Sequence, residues 1–150
     1  MDMKDLINHQ LIDLDLAATN KATAFQKLAD LLYQEKRISS CEGFLDDIYQ
    51  RELIDTTAIG YKIAIPHAKS KHVTTPSLVF ARSNQGIDCR ALDSNLTHLF
   101  FMIAMPEESI NMHLKALAMI SRKLMKASFR DELMEAQTKD AILALLYQID

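Results

Sequence analysis

The chain has 150 residues, of which 49% are hydrophobic and 25% are charged, and its formal net charge is -3. This length and composition are typical of an ordinary globular protein, so we expect residues 1–150 to form a single domain with a sizeable core. The small negative charge gives no electrostatic case for nucleic acid or an anionic membrane as partner. The sequence has no apolar run near the roughly 20 residues that span a bilayer, and no signal-peptide pattern.

The two cysteines, Cys41 and Cys89, are far apart and match no metal-binding or redox motif. We therefore expect a cytoplasmic protein with reduced thiols.

The amino-terminal part of the chain is predicted to be mainly helical. After a short helical turn at 4–8 and a short strand at 11–14, apolar residues at helical spacing predict a helix from Asn20 to Gln34. Either Thr19 or Asn20 is suited to cap its start.

A second helix is predicted to run to about Asp55, because Ser39 with Glu42 three residues later resembles a capping box. Its inward stripe ends on an arginine: Phe44, Ile48, Arg51. A cation near a helix C-terminus is explained by the helix dipole alone. The functional alternative is that Arg51 points from this stripe toward an anionic group.

A proline and a histidine follow the short apolar strand predicted at Ile63–Ile65. Pro66 is expected to end this strand and to place His67 in a surface loop. Imidazole is the side chain best suited to act as a nucleophile or proton carrier near pH 7. His67 is therefore a candidate reactive residue, although most loop histidines have no chemical role.

Two further strands are predicted. Ser77–Arg82 is expected to be closed by a turn at 84–86, and a polar loop at 88–95 follows. The apolar run Leu99–Met105 predicts a central strand covered on both faces, with a buried helix as the alternative.

Three helices are predicted after the central strand. The first is expected to begin at Pro106–Glu108 and to continue to Lys126. Its predicted inward stripe, beside which His113 should also face inward, is Ile110, Leu114, Leu117, Ser121 and Leu124. The others are Phe129–Glu135 and, capped by Thr138, Lys139–Gln148.

Helices that alternate with short apolar strands predict an α/β fold, with a mixed, mostly parallel β-sheet flanked by helices on both faces. Ligands bind such sheets beyond the carboxyl ends of the strands. His67 and His113 each follow a strand end, so we expect the two histidines to converge.

Several kinds of site have no support in the sequence. It contains no glycine-rich phosphate loop and no G-x-S-x-G nucleophile motif. His67 and His72 are five residues apart without an H-E-x-x-H pattern, so a metal-dependent hydrolase would need distant ligands.

A nucleophilic imidazole remains as the best chemical hypothesis. A neutral histidine can take a phosphoryl group on one ring nitrogen when the other donates a hydrogen bond that fixes the tautomer. The transferred group is strongly anionic, so an arginine or a second imidazole is needed to hold it.

The sequence resembles the enzyme IIA (EIIA) components of the bacterial phosphoenolpyruvate-dependent sugar phosphotransferase system (PTS), of the fructose–mannitol class. The matching residues occur in the family's order along nearly the whole chain: Arg51-Glu52, Thr57, Gly60, Ile63 to Lys69, Met105-Pro106-Glu107, and His113-Leu114 with Leu117-Ala118. The Pro-His segment and the downstream His-Leu helix carry most of the specificity. Members usually have glycine where this chain has Ala58, which restricts φ and is expected to tighten a loop.

The resemblance implies a role for each candidate residue. His67 matches the phosphorylated histidine, His113 the histidine that stabilises the phosphohistidine, and Arg51 the arginine that helps to hold the phosphoryl group. The implied partners are the phosphocarrier HPr as donor and the IIB component of a sugar permease with its IIC part, with no cofactor, metal ion, nucleic acid or membrane insertion.

Two roles are compatible with this resemblance. The first is phosphoryl transfer for uptake of a fructose-like or polyol sugar, which makes the protein a phosphotransferase. The alternative is a regulatory, nitrogen-PTS-like protein whose phosphorylation state controls binding to partners. The sugar itself is not readable from the sequence, since IIA proteins contact HPr and IIB.

Overall fold

A computed structural model describes residues 2–150. In this part of the chain, six helices surround one six-stranded sheet. The helices are α1 (Met3–Leu6), α2 (Lys21–Gln34), α3 (Cys41–Glu52), α4 (Met112–Leu124), α5 (Ala127–Glu135) and α6 (Lys139–Leu146), with a 3-10 turn at His9–Leu11. The strands are β1 (Ile12–Asp13), β2 (Ala58–Gly60), β3 (Ile63–Ala64), β4 (His67–Ser70), β5 (Ser77–Ile87) and β6 (Thr97–Pro106).

The sheet is mixed, as predicted. Its order is β1-β5-β6-β3-β2, and β4 also pairs with β6. The pairs β1·β5, β3·β6 and β4·β6 are parallel, whereas β5·β6 and β2·β3 are antiparallel. The α/β fold with a mixed, mostly parallel sheet is therefore confirmed. No helix within residues 2–150 has the length and apolarity that a bilayer crossing requires.

Strand β6 is the centre of the molecule. All residues from Leu99 to Pro106 are buried. Successive side chains of a strand point to opposite faces, so unbroken burial means that both faces are covered. The central strand is confirmed, and the alternative of a buried helix is wrong.

The segment around His67 differs from the prediction of a surface loop. The parallel pairing with β6 runs through Ala64↔Phe100, stops, and resumes at His67↔Ile103 in the same register. Pro66 has no N–H to give to the sheet, yet its carbonyl still accepts from the Ile103 N–H at 2.9 Å. The proline thus interrupts the strand without ending it, and His67 is the first residue of β4.

A predicted turn and a predicted loop also lie within strands. The turn expected at 84–86 lies inside β5, where the register with β6 shifts between Arg82 and Ile87 and Gly86 has φ +84°. An irregularity of this kind uses turn-forming residues without ending the strand. Ala58, expected in a tightened loop, lies in β2 opposite Ala64.

Helix α4 begins later than predicted, and only part of its predicted inward stripe is buried. Pro106 ends β6, and the helix starts at Met112 after Asn111, whose φ is 62°. Ile110 and Leu114 of the predicted inward stripe are 86% and 55% exposed. Leu124 of that stripe is buried and Leu117 packs partly buried against the core, and the buried face also carries Ala116, Met119 and Ile120.

The other helices lie within a few residues of their predicted bounds. Asn20 caps α2 by accepting from the Thr23 N–H, and Thr138 caps α6 by accepting from the Ala141 N–H. The capping box predicted at Ser39 is wrong by one residue: Ser40 caps α3 and accepts from the Gly43 N–H at 3.0 Å.

The His72 side chain lies directly against Gly43 of α3, so a larger residue at position 43 would displace it. A Cβ atom at position 43 would be 2.3 Å from Nε2 of His72. The His72 backbone is fixed on both sides, since its carbonyl accepts from the Ser39 N–H at 2.8 Å and its N–H donates to the Ser70 hydroxyl at 3.1 Å. The His72 side chain is half-buried and packs the end of β4 against α3.

We expect Gly43→Ala to lower the free energy of unfolding by about 1 kcal/mol. Overpacking costs about 1–3 kcal/mol, and the better helix propensity of alanine offsets about 1 kcal/mol of it. In a His72→Ala background the same substitution should stabilise the protein by up to about 1 kcal/mol. Chemical denaturation of the four proteins measures both effects, and the same sign in both backgrounds would contradict the proposed contact.

Candidate functional site

The three residues selected from the sequence come together in one cleft. His67 from β4, Arg51 from α3 and His113 from α4 all line it, and its volume is about 390 Å³. The full lining is Asp47, Arg51, His67, Ala68, Lys69, His113 and Leu114. The predicted convergence of the two histidines is therefore found in the structure.

The His67 ring is held by the main chain two residues before it. Nδ1 lies 2.8 Å from the carbonyl oxygen of Ile65. A carbonyl can only accept a hydrogen bond, so Nδ1 carries the proton and donates it, and Nε2 keeps its lone pair in the neutral ring. This is the tautomer that a nucleophilic Nε2 requires.

The surroundings of His67 favour the neutral ring. Burial lowers the pKa of His67 below its ordinary value of 6.5, and the positive charge of Arg51 lowers it further. The hydrogen bond to Ile65 and the negative charge of Glu52 act in the opposite direction. Because the net pKa shift is downward, the imidazole is largely unprotonated near pH 7.

His113 lies in the first turn of α4 and is half-buried. Burial lowers the pKa of His113, and the positive charge of Lys69 and the interaction with the nearby His67 ring lower it further. Its Nδ1 is buried and has no hydrogen-bond partner among residues 2–150. A buried N–H without a partner is costly, so this geometry favours a bare Nδ1 and a proton on Nε2.

Arg51 follows Ile48 on α3 by three residues, and its side chain reaches the cleft. One guanidinium nitrogen donates to the carbonyl oxygen of Asp55 at 2.9 Å. Arg82, which is buried, differs: one of its nitrogens donates to the carbonyls of Leu133, Met134 and Ala136 at the end of α5. The Arg51 guanidinium therefore lines the cleft, whereas the Arg82 guanidinium holds the carboxyl end of α5.

Two charged residues of the cleft, Asp47 and Lys69, were not predicted from the sequence. Asp47 lies one helical turn before Arg51, a spacing that places both side chains on the same face of α3. Lys69 lies two residues after His67 in β4 and so points to the same face of the sheet.

The remaining histidines lie elsewhere. His98 bonds through Nδ1 to the Ser83 carbonyl at 2.8 Å, and His9 pairs with Asp140. Within residues 2–150, no three His, Cys, Asp or Glu side chains are grouped to hold a metal ion. Cys41 and Cys89 are both free thiols.

The chain matches a known protein family over nearly its whole length. A family model described as "Phosphoenolpyruvate-dependent sugar phosphotransferase system, EIIA 2" covers residues 5–149. The chain therefore belongs to the PTS EIIA type-2 family, as the sequence resemblance indicated.

Two similar sequences come from fructose systems. The fructose-specific EIIA component of Haloferax volcanii is 35% identical over 148 residues, which cover 99% of this chain and 96% of that protein. The fructose-specific EIIABC component of Bacillus subtilis (strain 168) is 35% identical over 150 residues. This chain spans only 24% of the length of that longer relative.

Two solved structures are similar in fold. The nitrogen regulatory protein IIA-Ntr of Neisseria meningitidis superposes with a TM-score of 0.88 at 26% identity, covering 95% of this chain and 97% of that one. The mannitol enzyme IIA of Escherichia coli, in a complex with phosphorylated IIB, gives a TM-score of 0.81 at 21% identity, covering 95% and 97%. At 21% identity, the similarity to the mannitol enzyme IIA shows a shared fold only.

We expect both cleft histidines to titrate below pH 6.5, and Arg51→Met to raise the pKa of His67 by removing a nearby positive charge. The unfolded chain then binds protons on these rings at a higher pH than the folded protein does. The two histidines therefore reduce the free energy of unfolding as the pH falls from the unfolded pKa through the folded values.

NMR titration of the ring protons measures the histidine pKa values, and Arg122→Met, which removes an arginine outside the cleft, is the matched control. A pKa of His67 that falls in Arg51→Met would contradict the electrostatic assignment.

Proposed function

We propose that the protein is a phosphoryl carrier of the sugar PTS, which accepts a phosphoryl group on Nε2 of His67 from phosphorylated HPr and passes it to a IIB component. The observation that carries this proposal is the hydrogen bond between His67 Nδ1 and the Ile65 carbonyl, which leaves Nε2 as the nucleophile in a cleft with Arg51 and His113. In this role residues 1–150 act as a single EIIA domain in the cytoplasm.

Each of the two transfers replaces one bond to phosphorus by another. The bond from phosphorus to the donor's histidine breaks as a bond to Nε2 of His67 forms, and the electron pair of the broken bond stays on the donor's nitrogen. The group then leaves Nε2 for the IIB component in the same manner. No nucleotide, metal ion or carboxylate base takes part in either step.

Arg51 and His113 are assigned to the phosphoryl oxygens. The charge of Arg51 is permanent, and its guanidinium presents several N–H donors to an anionic group. With its proton on Nε2, His113 offers a further neutral donor. Donors placed in advance around developing charge make a large contribution to catalysis.

The sugar is proposed to be fructose-like or a polyol. The likeness to fructose-specific EIIA proteins supports this assignment. Uptake assays in a strain that lacks its own IIA, supplied with this protein and a fructose or mannitol IIB–IIC pair, test the choice of sugar.

A regulatory role is the second candidate, and the likeness to the nitrogen regulatory IIA-Ntr structure favours it. In that role the same phosphohistidine controls the binding of a partner protein. Affinity capture with the phosphorylated and the unphosphorylated protein separates the two roles, because a regulatory protein should retain a partner in only one of these states, while a transport component restores sugar uptake.

We expect one phosphoryl group to be added when the protein is incubated with phosphoenolpyruvate, HPr and its upstream enzyme. Intact mass spectrometry should show the increase in the native protein and none in His67→Ala. The group should be lost in acid, because protonation of the ring nitrogen makes the phosphorus–nitrogen bond labile. His9→Ala, which alters an imidazole outside the cleft, is the control and should be modified fully.

His113→Ala should still be modified at His67 but should transfer the group poorly. Loss of one charged donor in Arg51→Met should slow phosphorylation about a hundredfold. Full modification of His67→Ala would refute the assignment of the nucleophile.

A further inference from the structure

A chain of hydrogen bonds behind the cleft connects three side chains to the ring of His67. Glu52, the last residue of α3, accepts through Oε2 from the ammonium group of Lys21 at 2.7 Å and through Oε1 from the hydroxyl of Thr57. The Thr57 carbonyl accepts from the Ile65 N–H at 3.0 Å. The Ile65 carbonyl in turn accepts from Nδ1 of His67 at 2.8 Å.

The negative charge of Glu52 lies in an unfavourable position for three reasons. Its side chain is only 6% exposed, and burial of a carboxylate is costly without a paired cation and hydrogen bonds. A negative charge at the last residue of a helix also opposes the helix dipole. In addition, its charge acts on His67, whose cleft we propose to hold a phosphoryl group. The ion pair with Lys21 offsets all three effects.

We propose that Lys21, Glu52 and Thr57 are positioning residues, which hold the Ile65 peptide so that its carbonyl fixes the Nδ1–H tautomer of His67 and leaves Nε2 free to react. Thr57 is the link, because its hydroxyl is fixed by Glu52 while its carbonyl holds the Ile65 N–H. Both Thr57 and Ile65 are buried, so water does not readily replace these bonds. The expected effect of these residues on the phosphorylation rate rests on the proposed function. Their expected effect on the tautomer of His67 does not.

A purely structural role is the competing explanation, since the bond from Lys21 to Glu52 also ties α2 to α3. Thr57→Val separates the two explanations, because it removes the hydroxyl and leaves both ionic partners in place. Thr57→Ser keeps the hydroxyl. Thr56→Val is the matched control: Thr56 donates to the Cys89 carbonyl at 3.3 Å and accepts from the Ala58 N–H at 3.1 Å, but it does not bond to Ile65.

The first readout is the tautomer of His67 in the unphosphorylated protein, measured from its ring nitrogen-15 shifts. We expect the Nδ1–H form in the native protein, Thr57→Ser and Thr56→Val, and a shift toward the Nε2–H form in Thr57→Val. The rate of phosphorylation by HPr should fall by about ten- to a hundredfold in Thr57→Val and be restored in Thr57→Ser. An unchanged tautomer and rate in Thr57→Val, or no rescue by serine, would overturn the proposal.

The second readout is the titration of His67, which faces charged or titratable groups from several elements: Asp47, Arg51 and Glu52 from α3, Lys69 from β4 and His113 from α4. Glu52→Gln removes a negative charge and should lower the pKa of His67. Lys21→Met leaves Glu52 without its cation and should raise it, whereas Lys27→Met on the same helix should not. Shifts of the same sign in Glu52→Gln and Lys21→Met would overturn the proposal that the Lys21–Glu52 pair acts on the charge of His67.

The failure of this proposal is distinguishable from failure of the proposed function. A tautomer that responds to Thr57→Val in a protein that HPr does not phosphorylate would refute phosphoryl transfer and support the positioning network. Phosphorylation of Thr57→Val at the native rate, with His67 as the modified residue, would support the carrier function and overturn the network.

Discussion

The hydrogen bond from the His67 ring to the Ile65 carbonyl is the interaction on which the chemistry of the cleft depends. It exists because the chain runs extended along β6 on both sides of Pro66. The Pro66 carbonyl bonds to Ile103 in the central strand, while the Ile65 N–H and carbonyl bond to Thr57 and His67. The most deeply buried strand of the molecule thus fixes the backbone that sets the tautomer of the His67 ring.

Burial and charge act together on the two imidazoles. Partial burial lowers the pKa of both rings, and the cations Arg51 and Lys69 lower the pKa of the ring that each one faces. The same cations would attract an anionic ligand, so one set of charges keeps the His67 ring neutral and favours the phosphoryl group that we propose it takes. Asp47 and Glu52 moderate this positive character, and Lys21 pairs with Glu52.

The sequence was sufficient for the fold class and for the three central residues of the cleft, because strand periodicity, helix caps and the Pro-His segment are local signals. Prediction from the sequence failed where contacts between distant parts of the chain determine the local structure. Strand pairing carries the chain past Pro66 into β4, and Leu114 is exposed because α4 starts at Met112 and turns Ala116 and Ile120 inward. No pattern along the chain could show that Lys21, 31 residues before Glu52, pairs with it.

The use of a main-chain group to hold the His67 ring has an evolutionary consequence. A carboxylate in that place could be lost in one substitution and would itself titrate, whereas every residue type at position 65 supplies the same carbonyl. Drift at this position is therefore constrained by packing in the core, where Ile65 is buried, and not by the chemistry of the imidazole. Replacement of Ile65 by another apolar residue should accordingly leave this carbonyl, and with it the Nδ1–H tautomer of His67, in place.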